Sequence, residues 1–101
     1  MAEVNIGKVN DVEEGKGKVV NTNGKELALF KLNGKFYVIE NTCLHRGGSL
    51  GEGEIQDKIV TCPWHGWQYD ITNGQSIINP GMGVKSYKVE IKEDNIVVNL
   101  E

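Results

Sequence analysis

Cysteine and histidine are both scarce in this chain of 101 residues, which contains two of each. If both cysteines bind a metal, as their spacing indicates, none remains for a disulfide bond. Basic residues are also few, 11 against 14 acidic residues, and the net charge is −3. A chain without a basic surface gains little from binding phosphates, so this composition argues against a nucleic-acid partner and favours a protein partner.

Long hydrophobic runs are absent as well. The apolar runs, such as residues 36–39, are far shorter than the stretch of about 20 residues that spans a bilayer, so we expect no membrane anchor. The first residues lack the basic and apolar regions of a signal peptide, and no Asn-x-Ser/Thr glycosylation pattern occurs. These features together predict a cytoplasmic protein.

The remaining composition is that of an ordinary globular protein, with 39% hydrophobic and 25% charged residues. A chain of this length can bury one modest core but is too short for two domains. We therefore predict a single domain over residues 1–101.

Short strands separated by turns are the main secondary-structure signal. Residues 16–21, 25–32 and 35–40 predict three strands, joined at Asn23-Gly24 and Asn33-Gly34. Asn-Gly pairs tolerate positive φ angles and are typical of hairpin turns. No long helix is predicted, so the chain is expected to form an antiparallel meander.

Two further patterns extend this prediction. In the second strand Leu27 and Leu29 lie on one face while Ala28 and Phe30 lie on the other, which predicts burial on both sides. Near the end of the chain, alternating residues on either side of Asp94-Asn95 predict a closing hairpin. Several short antiparallel strands indicate an all-β sandwich or small barrel.

The two cysteines and two histidines follow the pattern C-x-H, sixteen residues, C-x-x-H, at Cys43, His45, Cys62 and His65. Thiolates and imidazoles are soft metal ligands, so the four residues are a candidate metal site. A structural zinc site has the same ligands, although zinc fingers usually pair two cysteines and then two histidines. A catalytic Cys–His pair would leave the other two residues unexplained, and four unrelated packing residues would require a fourfold coincidence.

The segments around these residues resemble the two cluster-binding loops of soluble Rieske-type ferredoxins. Residues 43–47 (CLHRG) match the first loop; His65-Gly66, followed by Tyr69-Asp70 and by residues 72–74 (TNG), matches the second. The resemblance implies the Rieske fold, an antiparallel β base with a small cluster-binding subdomain at about residues 41–80. It also implies one [2Fe–2S] cluster, in which two histidines ligate one iron and two cysteines the other.

By this resemblance, the ligands would be Cys43 and Cys62 on one iron and His45 and His65 on the other. The implied function is that of a one-electron carrier, not an enzyme, which is monomeric when free and passes electrons from a reductase to a terminal oxygenase or similar oxidoreductase. Two alternatives stay open: a non-catalytic small subunit of a larger oxidoreductase such as nitrite reductase, and a zinc-stabilised binding module.

Two features of the second loop predict a low reduction potential within that family. Rieske proteins of membrane-bound cytochrome complexes have an additional cysteine pair that bridges the two loops, and this chain has no further cysteine. High-potential relatives also have a serine two residues before the tyrosine that corresponds to Tyr69, and both donate hydrogen bonds to cluster sulfurs. This chain has Trp67 at the serine position. Glycines after His45, including Gly51 and Gly53, are interpreted as room for the chain to wrap closely around the cluster.

Overall fold

The computed structural model describes residues 3–22, 24–42, 49–63, 66–77 and 81–100. These residues form nine strands and two single-turn 3-10 helices, Val9–Asp11 and Leu50–Glu52. In chain order the strands are β1 (Glu3–Lys8), β2 (Gly17–Thr22), β3 (Lys25–Leu32), β4 (Lys35–Glu40), β5 (Glu54–Gln56), β6 (Ile59–Thr61), β7 (Gln68–Asp70), β8 (Ser86–Lys92) and β9 (Asn95–Asn99).

The strands form two antiparallel sheets. The larger sheet has the order β1-β9-β8-β4-β3-β2, and the smaller has the order β5-β6-β7. The edge strands β1 and β2 of the larger sheet approach each other, so this sheet is curled nearly into a barrel. The smaller sheet lies entirely within the long connection between β4 and β8. The predicted all-β antiparallel fold is confirmed.

Strand β3 is buried on both faces, as the sequence predicted, because each face contributes to a different hydrophobic core. Leu27 and Leu29 face the interior of the curled sheet, whereas Ala28 and Phe30 face the smaller sheet; all four are fully buried. We call the first group the inner core: Ile6, Val12, Leu27, Leu29, Val38, Tyr87, Ile96, Val98 and Leu100. The second is the outer core: Ala28, Phe30, Ile39, Leu50, Val60, Cys62, Tyr69, Ile71 and Val84.

The hairpin turns show which local signals determine the strand ends. Asn33 and Gly34 have φ angles of 53° and 76°, the positive pair that a two-residue turn of this hand requires. The prediction placed the last turn at Asp94-Asn95, but β9 begins at Asn95 and the positive φ, 58°, is at Glu93. The β8–β9 turn therefore lies one residue earlier than predicted.

None of the helices in the described part of the chain is long and apolar enough to span a bilayer.

Candidate metal centre

The first candidate ligand pair lies in a segment whose two ends are held together. Thr42, just after β4, forms an antiparallel bridge with Ser49, just before the second 3-10 helix. Cys43 and His45 belong to the intervening residues, 43–48, which lie outside the described part of the chain. The two ends fix where this first loop leaves the fold and where it returns.

Asn41 contributes most of the polar contacts at this junction. Its side chain is 2% exposed. Its Oδ1 accepts hydrogen bonds from the Gly51 N–H at 2.7 Å and from the Ser49 hydroxyl at 3.2 Å, while its Nδ2 donates to Ser49 Oγ at 2.9 Å. Its backbone carbonyl accepts from the Leu50 N–H at 2.8 Å, and its N–H donates to the Glu26 carbonyl at 3.1 Å. One buried residue thus joins β3, β4 and the returning chain.

The glycines that follow the first loop have a different role from the predicted one. A Cβ added at Gly51 would lie 2.8 Å from Cγ2 of Val19 and 3.0 Å from Oδ1 of Asn41. A Cβ added at Gly53 would collide with the backbone carbonyl oxygen of Thr61. These two glycines allow the returning chain to pack against β2 and β6, so their close contacts are with protein.

The second candidate pair also lies in a segment with a closed base. The N–H of Cys62, immediately after β6, donates to the Trp67 carbonyl at 2.7 Å. Within this second loop Gly66 has a φ of 75°, a left-handed conformation that glycine adopts without strain. Strands β6 and β7 form the base of the loop, where Thr61 pairs with Gln68. His65 lies in this loop, outside the described residues.

Cys62 is the candidate ligand whose side-chain environment the structure describes. It is 1% exposed and packs in the outer core, which also contains Tyr69 and Leu50. Leu50 immediately follows the first loop, and Cys62 begins the second. Their shared core therefore brings the return of one loop next to the start of the other. Trp67 is half-buried and packs against this core.

Ser76, Ile77 and Met82, which follow β7 in the chain, belong to a third segment beside the second loop. The Ile77 N–H donates to the Gln68 carbonyl at 2.9 Å, and the Ser76 N–H donates to the Met82 carbonyl at 2.9 Å. Ile77 and Met82 are nonetheless 45% and 48% exposed. Two large apolar side chains near the second loop are thus accessible to solvent.

Asp70 stabilises the turn that follows β7. Its Oδ1 accepts from the Thr72 N–H at 2.8 Å and from the Thr72 hydroxyl at 2.6 Å, and its Oδ2 lies 3.4 Å from the Lys58 ammonium. Burial raises the pKa of Asp70, but the two hydrogen bonds from Thr72 and the nearby Lys58 outweigh it, so this pKa lies below its usual value. The carboxylate is therefore charged at neutral pH.

The donor set fits a two-iron cluster with mixed ligation. Each loop contains one cysteine and one histidine, and the outer core contains residues from the bases of both loops. The one ligand thiol that is described is in apolar surroundings, where a metal–thiolate bond is protected from water. Within the described residues no group of three or more ligand side chains forms a site, because three of the four candidates lie outside them.

Comparisons with known proteins give the family of this chain. The model of the Rieske [2Fe–2S] domain family matches residues 2–88. The ferredoxin component of the naphthalene 1,2-dioxygenase/salicylate 5-hydroxylase systems of a Ralstonia species is 29% identical over 94 residues, covering 92% of this chain and 90% of the relative. Ferredoxin CarAc of Metapseudomonas resinovorans is 32% identical over 93 residues, covering 88% and 85%.

A solved structure gives the same result for the fold. A chain in the complex of reduced oxygenase and oxidized ferredoxin in carbazole 1,9a-dioxygenase superposes with a TM-score of 0.88 at 29% identity, covering 98% of this chain and 94% of that one. The relatives are ferredoxins, so the prediction of an electron carrier rather than an enzyme is confirmed. The chain belongs to the Rieske [2Fe–2S] domain family, whose cluster carries single electrons.

Proposed function

We propose that this chain is the ferredoxin component of an oxygenase system, accepting one electron from a reductase and delivering it to a terminal oxygenase. The observation that carries this proposal is the nearly full-length match to ferredoxin components of dioxygenase systems. The likeness to a ferredoxin in a complex with its oxygenase supports the same partner class.

The proposed cofactor is one [2Fe–2S] cluster held by all four candidate residues, with Cys43 and Cys62 on one iron and His45 and His65 on the other. The alternating Cys/His order of the two loops and the adjacent loop bases support this assignment. Residues of about 41–80 would form the cluster-binding subdomain of a single domain over residues 1–101. The position of the smaller sheet within this span supports that boundary.

When bound, the cluster supplies a one-electron couple that needs no bond to be made or broken in the partner. The protein residues determine where the electron is most stable. Anionic thiolates raise the electron density on their iron, whereas neutral imidazoles donate less charge, so the histidine side is easier to reduce. Burial of Cys62 shields the thiolate side from water, which leaves the histidine side as the proposed route to a partner.

The first test is analytical. We expect two irons and two acid-labile sulfides per chain, a visible absorption band, and an electron paramagnetic resonance (EPR) signal of Rieske type after reduction with dithionite. One zinc per chain without colour would instead support the zinc-stabilised module and refute the cluster.

The second test is functional. We expect product formation when the reduced chain is added to a terminal oxygenase and reductase purified from the same cells, and none when the chain is left out. Purification as a stable complex with one larger subunit, with no transfer by the separate chain, would refute the carrier role and support the small-subunit alternative. Cytoplasmic location and a monomeric free state are part of the proposal; cell fractionation and analytical ultracentrifugation test them.

A further inference from the structure

Of the described side chains at the base of the first loop, Asn41 forms the largest number of the hydrogen bonds seen there. Its amide forms three hydrogen bonds, to Ser49 Oγ in both directions and from the Gly51 N–H, at 2.7 to 3.2 Å. The side chain is 2% exposed, so these bonds form where water cannot replace them. Asn41 is two residues before Cys43, yet its partners lie on the far side of the loop.

The partners of Asn41 are themselves firmly held. Leu50 is fully buried in the outer core beside Cys62, and its N–H donates to the Asn41 carbonyl. Gly51 packs directly against Val19 of β2. The amide of Asn41 therefore ties the start of the first loop to a point that packs in the outer core and against β2 of the larger sheet.

The base of the second loop is closed differently. There the backbone pairing of β6 with β7 and the bond from the Cys62 N–H to the Trp67 carbonyl hold the two ends. One side-chain bond, from Gln68 Nε2 to Thr61 Oγ1 at 3.3 Å, is added to this pairing. At the first loop the pairing between described residues is the bridge from Thr42 to Ser49, and the amide of Asn41 adds side-chain hydrogen bonds to it.

We propose that Asn41 is a positioning residue for the cluster: its amide fixes the separation of the two ends of the first loop and thereby the placement of Cys43 and His45 relative to Cys62. This inference rests on the proposed ligand set. Removal of the amide leaves the buried Gly51 N–H without its acceptor, and the loop is then free to shift. A shift of the ligands changes the geometry at iron, which the cluster reports in its spectrum and its lifetime.

The test compares Asn41→Ala with Val98→Ala in the intact holoprotein. Val98 is fully buried in the inner core, so its truncation destabilises the fold without touching either loop. For Asn41→Ala we expect shifted g values in the EPR spectrum of the reduced cluster, a changed midpoint potential, and release of iron to a chelator about tenfold faster, the factor that corresponds to about 1.4 kcal/mol. For Val98→Ala we expect the wild-type spectrum and potential.

A second pair of variants tests the same contact without requiring Asn41→Ala to fold. Ser49→Ala removes the hydroxyl that bonds both atoms of the amide, whereas Ser49→Thr keeps a hydroxyl. We expect a spectral shift in Ser49→Ala and its reversal in Ser49→Thr. Identical spectra and iron-release rates in Asn41→Ala and Val98→Ala, or in Ser49→Ala and Ser49→Thr, would overturn the role of Asn41. Lack of a Rieske signal in the wild-type protein would instead refute the proposed function, so the two failures are distinguishable.

Discussion

The substitutions that the proposed ligands tolerate depend on whether the new side chain still offers a soft donor atom. Cys43→Ala and Cys62→Ala replace a thiolate with a methyl group, which cannot bind iron, so we expect loss of most iron and sulfide. His65→Cys replaces one soft donor with another and is expected to retain a cluster with an altered visible spectrum. Iron and sulfide analysis together with absorption spectra checks both results. Wild-type iron content in Cys43→Ala would exclude this ligand set.

Gly53 is required for steric reasons alone. Its φ and ψ angles of −78° and 166° are open to any residue, but an added Cβ would meet the carbonyl oxygen of Thr61. We expect Gly53→Ala to lower the free energy of unfolding by about 1–3 kcal/mol, since the obstacle is backbone in a neighbouring strand. Chemical denaturation measures the change. Gly81→Ala is the matched control, because no atom of a described, non-adjacent residue lies within 4 Å of the Cβ position there. A similar loss in that variant would contradict the steric explanation.

The turn after β7 is a structural element whose stability depends on a charge, that of Asp70. Because the pKa of Asp70 is lower in the folded state than in the unfolded state, its contribution is fully present above the unfolded pKa of about 4 and is lost as the pH falls through the folded value. Asp70→Asn keeps an acceptor for Thr72 but loses the attraction to Lys58 at 3.4 Å.

We therefore expect Asp70→Asn to be about 1 kcal/mol less stable than wild type at pH 7, with the difference shrinking below about pH 4. Denaturation of both proteins over this pH range checks it, and any loss of the cluster in acid is common to the two. A stability difference that stayed constant down to pH 2 would show that the charge of Asp70 is not responsible.

The strands and turns were predictable to the extent that their causes are local. Asn33-Gly34 encodes its positive φ angles in two residues, and the alternation of Leu27 and Leu29 with their neighbours encodes burial of both faces of β3. The hairpin between β5 and β6 was missed, because its positive φ of 55° falls on Asp57, which no glycine follows. The pairing of β1 with β9 has no local signal, since it joins the two ends of the described chain.

The candidate site also contains some residues that the sequence identifies and others that it does not. The ligand residues could be selected from the sequence because no other cysteine or histidine competes with them. Asn41 could not, because nothing in its neighbourhood along the chain shows that its amide is buried or that its partners lie eight and ten residues later. Gly51 and Gly53 were assigned to the cluster, although their close contacts are with β2 and β6, for the same reason: sequence spacing does not reveal which surface a glycine approaches.

At the scale of the whole molecule, the surroundings of the cluster predict its potential. The chain has no further cysteine pair to bridge the loops, and Trp67 stands where high-potential relatives have a serine donor, so we expect less stabilisation of an added electron than in those relatives. Glu52 and Glu54 line a pocket beside Cys62 and oppose the added negative charge. We expect a midpoint in the lower part of the range of about −150 to +300 mV known for Rieske centres. Protein-film voltammetry measures it, and a value near the upper limit would contradict this prediction.

Strand β3 is buried on both faces, one in each core, and this has a consequence for how the cluster is inserted into the protein. Among the described residues, the inner core contains none from the two ligand loops, whereas the outer core includes Cys62. We therefore expect the larger sheet to fold before the cluster is inserted, with the smaller sheet less stable until then. Hydrogen exchange of the apoprotein should show amides of Leu27 and Leu29 still protected while those of β6 and β7 exchange quickly. The cluster would then be inserted into a protein whose larger sheet is already folded. An apoprotein that has lost its cluster to oxidation could be reconstituted without new protein synthesis.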